Sequence, residues 1–300
     1  MLKIAYSPIY QHALPDGHRF PMLKYELIPL QLLRNGLVDE NNFFEPLPIL
    51  EEHILLTHTA AYWKDLKTLT LDPKIIRKIG FPLSEELVIR ERIITQGTID
   101  CALYAMQYGA AFNIAGGTHH AYADSGEGFC LLNDCAIASN YLLKRKLVSQ
   151  VLIIDLDVHQ GQGTASIFKN NRNVFTLSMH GKDNYPLHKE QSDIDIELKT
   201  GCDGTEYLKL LEAVLIKTDE LIKPDIVFYV AGVDVLLTDK MGKLKLTIQE
   251  CKHRDEMVFK FCKARNLPVV VTMGGGYSPE ISDIVDAHCN TFEAAIETIF

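Results

Sequence analysis

From residue 112 onward, five short apolar runs each hand the chain over to polar residues at their carboxyl end, and this recurrence constrains the fold more than any other feature. FNIAG (112–116) leads to Gly117, Thr118, His119 and His120. VLIIDLD (151–157) ends in Asp157 and leads to His159. VFTLSM (174–179) leads to His180, IVFYVAG (226–232) to Val233 and Asp234, and VVVTM (269–273) to three glycines and Tyr277. Runs this short and this apolar read as strands buried on both faces. Helical patterns lie between them near 133–147, 203–222 and 247–265, the last opened by a capping box of Thr247 and Glu250. Ser84 caps an earlier helix that Gly109 ends, and Ser278–Pro279 starts a final helix reaching about residue 298. The alternation predicts an α/β fold with a parallel sheet covered on both faces. Residues 1–80, with many Pro, His and aromatic side chains, read as irregular. With no linker or repeat in the sequence, 1–300 is expected to form a single domain.

Open parallel sheets bind ligands in the crevice outside the carboxyl ends of their strands, so the recurrence points to one site. In an extended strand Asp155, Asp157 and His159 face the same way. Three inward polar groups at a buried edge need a charge to balance them. Oxygen and imidazole donors suit Zn²⁺ and related divalent ions. Asp157 and His159 supply two ligands and Asp234 the third, which leaves a fourth position for water or substrate. A lone Asp-x-Asp more often caps the next helix; His159 and Asp234 turn the balance toward a metal. The His119–His120 pair, after Gly116 and Gly117, reads as proton-transfer groups rather than core histidines. Asp155 is expected to accept a hydrogen bond from one of them. Tyr277 is expected to hydrogen-bond a developing oxyanion. A phosphate loop at the glycines lacks the required spacing and a nearby Lys.

Hydrophobic residues make up 47% of the chain and charged residues 23%, an ordinary globular composition. The net charge of −9 argues against direct nucleic-acid binding. No segment has transmembrane length, and the N-terminus lacks the apolar stretch of a signal peptide. Seven cysteines without a CxxC pair are expected to be reduced and mostly buried, in a cytoplasmic protein. His253, His288 and the run KHRDE (252–256) are expected at the surface or its boundary, and His180 beside the ligands rather than among them.

Taken together and in order, GGTHHAYADSGEGFCLLNDCAIA, IDLDVHQGQG, AGVDVLLTDKMGKLKLT and MGGGY resemble the zinc-dependent histone deacetylases, over roughly residues 5–285. HQGQG, AGVD, HRDEMVF and YQHALPDGHRFPMLKY are most similar to the class IV (histone deacetylase 11-like) branch and its bacterial relatives. The resemblance implies the arginase/deacetylase fold, a three-layer αβα arrangement with a central, mainly parallel eight-stranded sheet. It implies hydrolysis of an N-acyl amide, above all acyl-lysine in a protein or peptide, with acyl groups that extend to long chains. It implies one Zn²⁺ per chain on Asp157, His159 and Asp234. His120 would serve as general base and acid, His119 as its charged partner, Asp155 as the carboxylate orienting His119, and Tyr277 as the phenol that polarises the acyl carbonyl. Gly128, Phe129 and Tyr185, with Gly275 and Gly276, would line the substrate tunnel. His12, His18 and Lys24 would line the pocket floor. A structural K⁺ is implied at Asp155, Asp157, Ser178 and the backbones of His159 and Met179. The chain departs from class I members at Gln162, where they carry a second Asp. A neutral amide cannot raise an imidazole pKa as a carboxylate does, so His120 is expected to be more readily neutral. Three other readings stay open: a deacetylase of acetylpolyamines or other small N-acyl amines, a catalytically silent acyl-lysine binding module, and an arginase-like two-metal enzyme.

Overall fold

The computed structural model describes residues 1–300, and the alternation resolves into one sheet: β1 (Lys3–Ala5), β2 (Phe43–Phe44), β3 (Ala110–Asn113), β4 (Val151–Asp155), β5 (Val174–Gly181), β6 (Ile194–Leu198), β7 (Ile226–Val230) and β8 (Val269–Thr272). Their order is β2-β1-β3-β8-β7-β4-β5-β6, and every pairing is parallel. Each residue of β3, β4, β7 and β8 is buried, as strands covered on both faces require. Two groups of helices form the outer layers. The helix Glu85–Tyr108 packs on β1, β3 and β8 and against Asp134–Lys144. The helix Ile248–Ala264 packs between Gly204–Leu221 and Ile281–Ile299, and the latter meets Lys24–Arg34. Buried apolar side chains from Leu2 to Ala295 form one continuous cluster. No helix is long and apolar enough to cross a membrane.

β3, β8, β7 and β4 are neighbours at the centre of the sheet. They are also the strands that lead to His119 and His120, to Tyr277, to Asp234, and to Asp157 and His159. The sheet order therefore gathers residues more than a hundred positions apart.

The caps fall as expected. Ser84 Oγ accepts from the Leu87 amide, Gly109 follows the same helix, and the Thr247–Glu250 capping box forms. The last helix begins at Ile281 rather than at Ser278–Pro279. Residues 1–80 are not irregular: they contain β1, β2 and the helices Lys24–Arg34, Ala60–Lys67 and Pro73–Ile79. These strands are two or three residues long, and Pro29 sits inside the first helix, so neither period shows in the sequence. The KHRDE run is a solvated face only in part. His253 is exposed, but Arg254 and Asp255 have no exposed surface. His288 is likewise fully buried rather than at the boundary. Both corrections have one cause: the helices Ile248–Ala264 and Ile281–Ile299 pack on each other and on the sheet, so polar positions turn inward.

Candidate active site

Strand β4 ends at Asp155, and the turn beyond it sends the three alternating residues to different partners. Asp155 Oδ2 lies 2.7 Å from His119 Nδ1, while its Oδ1 accepts from the Asp157 amide. Asp157 and His159 turn toward Asp234 at the end of β7. His159 Nδ1 lies 3.0 Å from Asp157 Oδ1 and 3.1 Å from Asp234 Oδ2. The remaining carboxylate oxygens take backbone amides: Gly275 N donates to Asp157 Oδ2 at 2.7 Å, and Val158 N donates to Asp234 Oδ1 at 2.9 Å. A Cβ on Gly275 would overlap the Asp234 carboxylate, so only glycine lets the backbone close this side.

One donor atom from each of Asp157, His159 and Asp234 lies within 4.8 Å of the others, and all three residues are buried. Tetrahedral zinc with bonds of about 2.0–2.1 Å sets neighbouring ligand atoms about 3.3 Å apart. The spacings of 3.0 and 3.1 Å are close to that. The charges also fit a cation. Burial and the neighbouring Asp157 push the Asp234 carboxyl up to about 7. Burial works against a charge on His159, yet Asp157 and Asp234 raise it to about 10. Two buried carboxylates thus hold positive charge between them.

The two adjacent histidines are driven apart. Burial opposes a charge on His119, but Asp155 and Asp157 outweigh it and raise the pKa to about 9. Burial, then the charges of His119 and His159, hold His120 well below its ordinary value. His120 Nδ1 lies 2.6 Å from Gln162 Oε1, which can only accept; Nδ1 therefore carries the proton, and Nε2, 3.2 Å from His119 Nε2, keeps its lone pair. Gly128, at φ +54°, lies across the His120 ring, where a Cβ would collide.

A narrow cavity of about 40 Å³ reaches this cluster, lined by His119, His120, Asp157, His159, Gly128, Phe129, Gly275 and Tyr277. It opens into a mouth of about 550 Å³ that includes Tyr185, whose ring centroid lies 5.2 Å from that of His120. Phe129 and Tyr277 face each other at 6.1 Å. Burial, then Asp157 and Asp234, keep the Tyr277 phenol protonated and so a donor. Gly276 lies behind the cavity, facing Val233 and Ile284. Strand pairing sets Ser178 opposite Asp155, and Ser178 Oγ lies 2.9 Å from Nδ1 of the buried His180. Met179 is buried on the same strand.

Several contributors carried no signal readable in the sequence. The inner end of the cavity is formed by Tyr25, Arg90, Glu91 and Ile94, with Phe20 and Phe81 nearby. These come from the first 94 residues, where no strand end marks them. Of the three floor residues suggested by resemblance, His18 bonds the Gly80 carbonyl, His12 lies beside Glu86, and Lys24 bonds the Gly274 carbonyl at 2.9 Å from behind the glycine loop. Asp134 accepts from the Gly117 and Thr118 amides and from the Thr98 and Thr118 hydroxyls, which fixes the loop that carries His119. Asp239 does the same for Tyr277: its Oδ2 accepts the Tyr277 amide at 2.6 Å and its Oδ1 those of Met241 and Gly242.

Residues 18–292 match the histone deacetylase domain, and the chain belongs to the histone deacetylase family. It is 41% identical to an uncharacterised protein of Picosynechococcus over 97% of each chain. It is 30% identical to histone deacetylase 2 of Arabidopsis thaliana, over 89% of this chain and 72% of that one. With human histone deacetylase 1 it shares 30% over 94% of this chain and 61% of that one. Among solved structures, an HDAC homolog from Aquifex aeolicus has the same fold, with a TM-score of 0.84 at 24% identity over 98% of this chain and 84% of that one. An HDAC homolog complexed with SAHA superimposes equally well at 25% identity, with the same coverage. The family comprises zinc-dependent deacetylases, and the buried Asp157–His159–Asp234 trio is present here.

Replacing Asp134 by Ala strands buried amides of the His119 loop, each at a cost of about 1–3 kcal/mol. Urea unfolding should register that loss, and an unchanged midpoint would contradict the role given to Asp134.

Proposed function

We propose that this protein is a zinc-dependent lysine deacylase of class IV character, with residues 1–300 as one catalytic domain and acyl-lysine in a protein or peptide as substrate. The observation that carries this reading is the pairing of a charged and a neutral histidine beside a buried two-carboxylate, one-imidazole cradle at the end of a narrow cavity. Asp157, His159 and Asp234 would hold the metal. A divalent ion there supplies Lewis acidity to a carbonyl oxygen and lowers the pKa of water from about 15.7 toward 7. A structural K⁺ fits the oxygen-rich surroundings of Asp155 and Ser178, with Asp157, His159 and Met179 as its further partners. Seven free, buried cysteines suit a reducing, cytoplasmic setting.

In this reading His120 Nε2 takes a proton from the attacking water as the new C–O bond forms. His119 stays charged through its bond to Asp155 and offsets the negative charge developing on the acyl oxygen. Tyr277 donates a hydrogen bond to that oxygen. His120 then returns its proton to the amine nitrogen as the C–N bond breaks. Gly128, Phe129 and Tyr185 flank the lysine stem, and Gly275 closes the inner wall.

The cavity of about 40 Å³ favours a short acyl group. Its inner end is closed by the buried Arg90–Glu91 pair.

On acetyl-lysine peptide, myristoyl-lysine peptide and acetylpolyamine, kcat/KM should be highest for the first. Zinc-loaded protein inert on all three would favour a silent binding module instead. Tyr277→Phe should lose about two orders of magnitude in kcat, about 3 kcal/mol, with zinc still bound; wild-type turnover would remove Tyr277 from the mechanism. Gln162→Glu should raise the His120 pKa, so His120 stays protonated to higher pH and the acid limb of the rate profile moves up. An unmoved acid limb would show that residue 162 does not tune the base.

A further inference from the structure

Arg254 is a guanidinium with no exposed surface, in a helix whose sequence reads as solvated. Burying such a charge costs several kcal/mol unless its partners are well placed. Its Nε donates to Asp255 Oδ1 at 2.8 Å. Its Nη1 donates to two backbone carbonyls, Gly232 at 2.6 Å and Leu156 at 3.3 Å. Asp255 is itself fixed, by the Tyr229 hydroxyl on Oδ1 and by Thr291 Oγ1 on Oδ2 at 2.7 Å.

The two carbonyls define what the arginine does. Leu156 directly precedes Asp157, and Gly232 stands two residues before Asp234. Strand β4 ends at Asp155 and β7 at Val230, and the Leu156 amide makes their last ladder bond, to Val230. Past that point the two segments no longer pair with each other as strands, yet His159 Nδ1 on one lies 3.1 Å from Asp234 Oδ2 on the other. Val158 N to Asp234 Oδ1 joins them at the site itself. Arg254 Nη1 joins them from beneath, bridging both main chains with one nitrogen.

We propose that Arg254, held by Asp255, which Thr291 in turn fixes, is a positioning residue that sets the spacing of the metal-ligand segments after β4 and β7. The inference rests on reading Asp157, His159 and Asp234 as the ligands. A lysine keeps the charge but lacks the fork that reaches the carbonyls and Asp255 together. Partners that orient metal ligands typically contribute about 10–100-fold to metal affinity or activity.

The test is zinc affinity by competition with a chromophoric chelator, on full-length protein, alongside apo-protein melting and kinetics. Arg254→Lys should weaken zinc binding at least about tenfold and lower kcat in the zinc-saturated protein, with KM within about twofold. An arginine that only stabilises the fold would lower the apo melting temperature and leave zinc affinity and kcat unchanged; that result overturns the proposal. If Arg254→Lys does not fold, Thr291→Val serves in its place: it frees one oxygen of Asp255 and should weaken zinc in the same direction, whereas wild-type affinity overturns the proposal. Wild-type protein that binds no zinc would instead overturn the assignment of the ligands.

Discussion

Two buried carboxylates meet one imidazole nitrogen at the end of a narrow cavity, and much of the molecule is arranged around that fact. Asp157 and Asp234 lie just past the ends of neighbouring strands, so a parallel sheet brings like charges together at its buried edge. Such charges persist only when paired and hydrogen-bonded. Each carboxylate gives one oxygen to His159 and the other to a main-chain amide, from Gly275 or Val158. The pairing depends on backbone that approaches closely, and Gly275 allows it. The net negative charge of the pair is what makes the place receptive to a cation.

The same charges act on the histidine pair. His119 faces Asp155 and is charged; His120 faces a neutral amide and two positive neighbours and is not. Environments that push two adjacent titratable groups apart assign acid and base roles without any difference in side-chain chemistry. Gln162 matters for this reason: it fixes the tautomer of His120 without supplying a charge that would protonate it.

The central strands and the polar residues at their ends were readable in the sequence because apolar runs of five to seven residues, each followed by polar residues or glycines, recur along the chain. Asp157, His159 and Asp234 do converge, and Asp155 does reach His119. Alternation alone placed Asp155, Asp157 and His159 on one face; the chain instead leaves the sheet after Asp155 and divides them. The inner end of the cavity was not readable. Tyr25 reaches it from the helix Lys24–Arg34, and Arg90 and Glu91 from the helix Glu85–Tyr108, where no strand end marks them. Arg254 and Asp255 were misread because a run of charges on a helix is ordinarily its wet side, whereas here sheet and helix both cover it.

The mouth of the cavity has a different origin from its floor. Arg19, Lys78, Asp183, Asn184, Tyr185, Leu187, Met241 and Lys243 come from four separate segments, and none of them supplies a group to the cradle. The chemistry is bound to the sheet and its hydrogen-bonded backing, where almost any change disturbs several partners. The entrance is tied mostly to itself, Asn184 Nδ2 donating to the Met241 carbonyl and Lys243 Nζ to that of Asp183. Over evolutionary time the two can therefore change at different rates: the loops can exchange one clientele of acylated molecules for another while the strand ends go on performing the same hydrolysis.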